Sequence, residues 1–129
     1  MESILVVEDE VPLREAITFK LSREGFKVSQ ASTGEDAVAL LKEEIPDLVW
    51  LDIKLPGMSG IDVLKWMRSN PETKNTRVVV VSVSIGTELK DDISQLNVLS
   101  LITKSNYSLE DIIIKILDLF AADKASKKS

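Results

Sequence analysis

Short apolar runs alternate with amphipathic stretches five times along this chain. The apolar runs cover residues 4–7, 26–30, 48–51, 78–81 and 98–102. Each run is too short for a helix and most are rich in β-branched residues, which is typical of strands. Between the runs, mostly apolar side chains recur at helical spacing. These stripes are Leu13, Ile17 and Leu21; Ala37, Val38 and Leu41; Ile61, Leu64 and Lys65; Leu89, Ile93 and Leu96; and Leu109, Ile112, Ile113, Ile116 and Phe120. The pattern predicts five successive strand–helix units.

Several of the predicted helices carry residues that favour helix ends. Thr33, Ser59 and Ser108 stand at N-cap positions, where a hydroxyl oxygen accepts a hydrogen bond from a free backbone amide. Gly25 follows the first helix, at the position where a left-handed residue commonly ends one. These signals predict where three helices begin and where one ends.

The alternation of strands and helices also predicts the topology. Strands joined through helices run parallel, with right-handed crossovers and helices on both faces of the sheet. The run of valines at residues 78–81 fits a central strand that is buried on both sides. The sequence therefore predicts an α/β fold, a doubly wound (βα)5 parallel sheet with strand order 2-1-3-4-5. In that order strands 1 and 3 are neighbours, and ligands bind beyond their carboxyl ends.

Acidic residues stand at the ends of these two neighbouring strands. Glu8, Asp9 and Glu10 follow the first strand, and Asp52 follows the third, just before a loop rich in proline and glycine. Two carboxylates about 4 Å apart repel each other by roughly 4 kcal/mol at an effective dielectric constant of 20. A hard divalent cation would relieve this repulsion, and Mg²⁺ favours one or two carboxylates together with waters and phosphate oxygens. We therefore expect a Mg²⁺ site.

A hydroxyl and an amine are predicted at the same edge of the sheet. Ser82 ends the fourth strand and Lys104 follows the fifth. A carboxylate can accept a phosphoryl group as an acyl phosphate, and this transfer needs neutralised oxygens more than it needs a protein base. Asp52 is the candidate acceptor, with Mg²⁺, Lys104 and Ser82 each able to contact one phosphoryl oxygen. The chain has no histidine, so a phosphohistidine donor would lie on another molecule.

Composition narrows the class of protein further. The 129 residues suit one domain, which we place at residues 1–121, followed by a polar tail at residues 122–129. The net charge of −5 repels phosphate backbones and anionic lipid, so nucleic acid is not an expected partner. The chain has no cysteine, which excludes disulfides and thiolate chemistry. We expect neither a leader segment nor a membrane span, and hence a cytoplasmic protein.

Taken together, the whole chain resembles a response-regulator receiver domain of two-component signalling, of the chemotaxis type and with its flavodoxin-like fold. The family carries an acidic pair, a phosphoacceptor aspartate, a serine or threonine and a lysine after strands 1, 3, 4 and 5. These positions here hold Glu8 and Asp9, Asp52, Ser82 and Lys104. The resemblance implies that Asp52 accepts a phosphoryl group from a sensor histidine kinase or a histidine phosphotransfer protein. It also implies that Glu8, Asp9, Asp52 and the Lys54 backbone carbonyl bind Mg²⁺.

The resemblance implies a signalling phosphoacceptor and not an enzyme, since the only reactions it would catalyse are its own phosphotransfer and autodephosphorylation. Two alternatives stay open. Val83, Leu101 and Ser105 stand where the family commonly has a small residue, an aromatic ring and a proline. They favour a pseudo-receiver that binds proteins without being phosphorylated. A Mg²⁺ phosphohydrolase would need an acid two residues after its nucleophile, where this chain has Lys54. Lys54 and Ser84 stand where the family modulates the lifetime of the acyl phosphate.

The last predicted helix is more apolar than one core requires. Its apolar side chains are Leu109, Ile112, Ile113, Ile116, Leu117, Leu119 and Phe120. They cover about 160° of the helix, against the roughly 100° that faces a core. Ile114 lies outside even this stripe, so we expect a homodimer or effector surface on helices 4 and 5, with packing at the edge of the core as the alternative. Phe19 lies outside the apolar stripe of the first helix. It is either a contact for a docking kinase or an isolated aromatic residue on the surface.

Overall fold

The computed structural model describes residues 2–83 and 86–127 of the chain. In this part of the chain, strands and helices alternate from beginning to end, as the apolar pattern predicts. The strands are β1 Ser3–Val7, β2 Lys27–Ala31, β3 Leu48–Leu51, β4 Arg77–Ser82 and β5 Ser100–Thr103. The helices are α1 Val11–Arg23, α2 Gly34–Glu43, α3 Gly60–Ser69, α4 Thr87–Ser94 and α5 Leu109–Lys127, and a short 3-10 turn covers Lys104–Asn106.

The strands form one parallel sheet in the order β2-β1-β3-β4-β5. The predicted doubly wound fold and its strand order are therefore confirmed. β1 and β3 lie side by side with Val7 opposite Leu51, so Glu8 and Asp52 leave the sheet at adjacent points. The Asp52 amide donates a hydrogen bond to the Val7 carbonyl at 3.1 Å. This bond continues the pairing of the two strands up to the candidate site.

The sheet is covered on both faces, and β4 shows why. Its side chains alternate, so Val78 and Val80 pack with residues of α2, α3 and α4, while Val79 and Val81 pack with residues of α1 and α5. All four of these valines are fully buried, which contributes about 1.5–3 kcal/mol for each side chain relative to exposure. The valine run is thus an inner strand buried on both faces, as the sequence predicts, and Ser82 lies at its end.

The predicted helix ends are confirmed. Thr33 accepts a hydrogen bond from the Asp36 amide at 3.0 Å, Ser59 from the Asp62 amide at 3.3 Å, and Ser108 from the Asp111 amide at 3.1 Å. Gly25 follows α1 with a φ of 95°, a left-handed conformation that suits glycine. These caps begin α2, α3 and α5 after loops at the carboxyl edge of the sheet.

The chain between α4 and β5 differs from the prediction. The apolar run predicts a strand over residues 98–102, but β5 begins only at Ser100. Likewise Leu96 belongs to the predicted stripe of α4, but the helix ends at Ser94. The guanidinium of Arg68 on α3 donates to the Leu96 carbonyl at 2.7 Å and to the Asn97 carbonyl at 3.2 Å. Because Asn97 also has a φ of 57°, the chain turns here instead of continuing either element.

The last turns of α5 extend into the segment predicted as a tail. The helix continues through Lys127, and Asp123 and Lys124 form ion pairs with Arg77 and Glu2, respectively. The Lys124 amine also lies 4.3 Å from the centre of the Phe120 ring. These contacts connect the end of α5 to the starts of β1 and β4. In the described part of the chain, no helix has the length and apolar character needed to cross a membrane.

Candidate functional site

The carboxyl edge of the sheet brings together four of the side chains that the sequence singles out. Glu8 follows β1 and Asp52 follows β3, while Ser82 is the last residue of β4 and Lys104 is the first residue after β5. Because all the strands run parallel, their carboxyl ends lie at one edge. Asp9 follows Glu8 directly and adds a further carboxylate at the same place.

Asp52 lies at the centre of this group. Its Oδ1 atom accepts hydrogen bonds from the Ser82 hydroxyl and from the Lys54 backbone amide, each at 3.2 Å. Its Oδ2 atom lies 3.2 Å from the Lys104 amine. The residue is only 5% exposed. The carboxylate is therefore held in one orientation by a hydroxyl, a backbone amide and an ammonium group.

Glu8 is the most deeply buried acid of the site. It is fully buried, with Oε1 at 2.5 Å from the Lys104 amine and Oε2 accepting a hydrogen bond from the Glu10 amide at 3.1 Å. Burial raises the pKa of Glu8, and the bonds from Lys104 and Glu10 offset part of that rise. Burial by itself would lower the pKa of Lys104, but the hydrogen bond to Glu8 and the charges of Asp52 and Glu8 outweigh it, so this pKa is raised. Lys104 is thus charged and holds the two acids together.

The three acids form a donor set that fits a hard divalent cation. Carboxylate oxygens of Glu8, Asp9 and Asp52 all lie within 4.8 Å of one another. Three carboxylates against the single ammonium of Lys104 leave an excess of negative charge at this point. Oxygen ligands with an open side are what Mg²⁺ binds in proteins. The residues present therefore fit the ion that the sequence predicts, and the Lys54 carbonyl stays a predicted further ligand.

Two close approaches of the backbone shape the loop that follows Asp52. The Gly60 amide donates to the Ile53 carbonyl at 2.9 Å. A Cβ atom at Gly60 would overlap the Asp52 carbonyl oxygen and lie 2.7 Å from Ile53 Cα. Only glycine allows α3 to begin so close to the end of β3. The loop consequently turns back over the edge of the sheet next to the acids.

Arg14 contributes to the site although it is absent from the set that the sequence predicts. Its guanidinium donates to the Glu8 carbonyl at 3.0 Å and to Gln30 Oε1 at 3.2 Å. It thereby supports the turn that presents Glu8 and Asp9. Its position offers a signal, because a cation near the start of a helix is disfavoured by the helix dipole. A cation in that position therefore indicates that the side chain has a partner elsewhere. The sequence does not reveal which one, because Gln30 lies on β2.

The positions that depart from the family pattern lie around this site. Leu101 is half-buried and packs against the core on the side of α2 to α4. Val83, which follows Ser82, is 53% exposed. Its carbonyl accepts a hydrogen bond from the Ser105 hydroxyl at 3.5 Å, so a side chain from the loop after β5 contacts the loop after β4. Ser84 lies outside the described residues.

Comparisons with known proteins agree with this fold and show the family. A family model described as "Response regulator receiver domain" matches residues 4–117. The transcriptional regulatory protein AfsQ1 of Streptomyces coelicolor is 43% identical over 68 residues, which are 53% of this chain and 30% of that protein. The sporulation initiation phosphotransferase F of Bacillus subtilis is 40% identical over 81 residues, 63% of this chain and 64% of that protein. The chain thus spans less than two thirds of either relative.

A solved structure shows the same fold over almost the whole chain. The non-phosphorylated HemR receiver domain from Leptospira biflexa superposes with a TM-score of 0.84, covering 93% of this chain and 94% of that one. The two sequences are 24% identical, so the likeness concerns the fold. The fold of this chain is therefore that of a known architecture.

Replacing Lys104 by methionine tests how much the site depends on this amine. The variant leaves Glu8 and Asp52 without their shared cation, so we expect the free energy of unfolding of the metal-free protein to fall by about 3 kcal/mol. Urea denaturation in the presence of a chelator measures it. The double variant Lys104→Met/Glu8→Gln should recover much of the loss, because one of the two stranded charges is removed.

The loss in Lys104→Met should depend on pH. Burial raises the folded-state pKa of Glu8, and removing Lys104 raises it further, so the folded variant binds a proton more readily than the unfolded chain. We expect a smaller loss at about pH 5 than at about pH 8. Lys20→Met serves as the control, since it removes an exposed ion pair with Glu110 and should cost less than about 1 kcal/mol. Equal losses in the two variants would contradict this account.

Proposed function

Because this chain belongs to the response regulator receiver domain family, we propose that it is the phosphoacceptor of a two-component or phosphorelay system. Asp52 is the acceptor, and its donor is the phosphohistidine of a sensor kinase or of a histidine phosphotransfer protein. The observation that carries the proposal is the convergence on Asp52 of the Lys104 amine and the Ser82 hydroxyl, with Glu8 and Asp9 alongside. The same proposal places the chain in the cytoplasm, where kinases obtain ATP.

The proposed reaction transfers one phosphoryl group between two side chains. An Asp52 carboxylate oxygen attacks the phosphorus atom, a new P–O bond forms, and the P–N bond to the donor histidine breaks as the imidazole leaves. The product is an acyl phosphate. No base is needed, because the nucleophile is already an anion. Catalysis therefore reduces to placing the two groups in line and neutralising the phosphoryl oxygens.

The residues around Asp52 divide this work. The Lys104 ammonium and the Ser82 hydroxyl are positioned to contact phosphoryl oxygens, since both already contact Asp52. Glu8, Asp9, Asp52 and the Lys54 carbonyl would hold Mg²⁺. When bound, Mg²⁺ supplies positive charge to the acids and to the phosphoryl oxygens. The backbone amide of Lys54 keeps Asp52 in one rotamer throughout.

The donor is proposed to bind along α1. This helix begins immediately after the acidic turn, and two of its large apolar residues face solvent: Val11 is 50% exposed and Phe19 is 62% exposed. Arg23 lies over the Phe19 ring at 5.6 Å. Exposed apolar side chains on the helix next to the acceptor suit docking of the helix that carries a donor histidine. Phe19 is thus assigned to partner binding and not to the core.

The output surface is proposed to lie on α4, β5 and α5. Ile114 is 59% exposed on the outer side of α5. A shallow depression there is lined by Tyr107, Asp111, Ile114, Lys115, Asp118 and Leu119. Charges of both signs surround the apolar centre, so a second copy related by a two-fold axis can pair with the same patch. We therefore propose a homodimer through this face, promoted when phosphorylation moves the loops at Ser82 and Lys104.

Two further points belong to the proposal. The name of AfsQ1 describes a transcriptional regulator, but the match covers 30% of that protein. For this chain, with its net charge of −5, we propose protein partners and no nucleic acid. We also propose that the chain is a signalling domain and that it catalyses no reaction other than its own phosphotransfer and autodephosphorylation.

One observation favours the pseudo-receiver as a second candidate. Asp52 is only 5% exposed, and both of its carboxylate oxygens already have partners within the protein. A phosphoryl donor must displace or share these contacts. A chain that keeps them closed would bind its partners without phosphorylation.

Acetyl phosphate distinguishes the two candidates. Incubated with acetyl phosphate and Mg²⁺, the wild-type protein should gain the mass of one phosphoryl group, as measured by intact-mass spectrometry. Asp52→Asn retains the shape of the side chain but lacks the anionic nucleophile, so it should stay unmodified. Asp62→Asn, which removes an exposed acid on α3, should be labelled like the wild type. Unmodified wild type would support the pseudo-receiver, and equal labelling of Asp52→Asn would place the acceptor elsewhere.

Sedimentation velocity tests the output surface. Wild-type protein treated with acetyl phosphate and Mg²⁺ should form a dimer whose fraction rises with concentration, and Ile114→Glu should remove it by burying a charge at the centre of the interface. Phe19→Ser is the matched control, because it removes an equally exposed apolar side chain from a different face. A wild type that is monomeric with and without acetyl phosphate, or an Ile114→Glu variant that still dimerises, would refute this surface.

A further inference from the structure

The first turn of α2 contacts the loop between β3 and α3. The Oε1 atom of Glu35 accepts a hydrogen bond from the Met58 backbone amide at 3.1 Å. The same carboxylate lies against Gly57, where a Cβ atom would be 2.6 Å and 3.0 Å from its two oxygens. At Gly34, a Cβ atom would overlap the Met58 carbonyl oxygen. The helix therefore packs backbone to backbone on this loop, and Glu35 closes the contact.

The loop held in this way begins at Asp52. The Lys54 amide donates to Asp52 Oδ1 at 3.2 Å, and the Gly60 amide donates to the Ile53 carbonyl at 2.9 Å. These bonds secure the two ends of the loop. Its middle contains Gly57 with a φ of 70°. Glycine adopts this conformation readily, but it loses more chain entropy than any other residue when it is ordered. The middle of the loop thus depends on a contact from outside, and Glu35 supplies it.

We propose that Glu35 is a positioning residue for the metal and phosphoryl site. By fixing Gly57 and Met58, it fixes the preceding backbone at Lys54, whose amide orients Asp52 and whose carbonyl is a predicted Mg²⁺ ligand. A hydrogen bond from a backbone amide to a charged carboxylate is roughly twice as strong as a neutral one, which suits it to this task. The inference rests on the proposed function, because it concerns the same site. It adds a residue of α2 that contributes no atom to that site.

A different explanation for Glu35 must be separated from this one. An acid in the first turn of a helix stabilises that helix through its dipole, whatever it contacts. Asp36 shares this turn and provides the comparison. Its side chain lies on another side of the helix, beside a groove lined by Arg14, Gln30 and Ser32. Asp36 therefore has the dipole role without the contact to the loop.

Three variants and two measurements test the proposal. Hydrogen exchange of the Met58 amide is followed by NMR in the metal-free protein, and Mg²⁺ affinity is measured by calorimetry. Glu35→Ala should lose the protection of the Met58 amide and bind Mg²⁺ roughly tenfold more weakly, the lower end of effects from residues that support ligands. Glu35→Gln keeps an oxygen acceptor and should stay within about twofold of the wild type on the same scale. Asp36→Ala should match the wild type in both measurements.

Each other outcome overturns a specific statement. If Glu35→Ala loses the Met58 protection but binds Mg²⁺ as tightly as the wild type, Glu35 orders the loop without positioning the site. If Glu35→Gln and Asp36→Ala both weaken Mg²⁺ binding as much as Glu35→Ala, the effect belongs to the helix dipole. A wild type that binds Mg²⁺ but is not labelled by acetyl phosphate refutes the proposed phosphoacceptor and leaves the role of Glu35 intact. A wild type that binds no Mg²⁺ refutes both.

Discussion

Repulsion among the carboxylates of Glu8, Asp9 and Asp52 is the constraint on which this site depends. Their oxygens lie within 4.8 Å of one another, and a pair of such charges about 4 Å apart repels by roughly 4 kcal/mol at an effective dielectric constant of 20. Lys104 offsets part of this by contacting Glu8 at 2.5 Å and Asp52 at 3.2 Å. The remaining excess of negative charge favours a cation at this point, as the proposed function requires.

The fold holds these charges together because its core does not depend on them. The sheet is buried on both faces, and the side chains of β4 alternate between the two halves of the core. The register that pairs Val7 with Leu51 leads directly to Glu8 and Asp52. Arg14 and Glu35 then hold the two loops that leave the sheet at this point. The buried apolar strands thus position the three acids at the carboxyl edge of the sheet, while polar contacts from α1 and α2 hold the loops next to them.

Most of the fold follows from the sequence, since local patterns determine it. The limits of β3, the strand order and the caps at Thr33, Ser59 and Ser108 agree with the structure. The start of β5 does not, because Arg68 binds carbonyls of the preceding turn and hydrophobicity alone does not reveal that contact. The site is divided in the same way. Its strand-end acids can be predicted from position. The partners of Arg14 and Glu35 cannot, because Gln30 and Met58 come close to them only in the folded chain.

Thermal unfolding of the wild type and Asp9→Asn, each with a chelator and with Mg²⁺, tests the central claim about charge most directly. If carboxylate repulsion governs the site, Asp9→Asn melts at a higher temperature than the wild type in the chelator, because one of the repelling charges is gone. Mg²⁺ at ten times its dissociation constant then stabilises the wild type by about 1.4 kcal/mol, and stabilises Asp9→Asn much less. A variant that melts at or below the wild-type temperature in the chelator, and gains as much from Mg²⁺, would contradict the account.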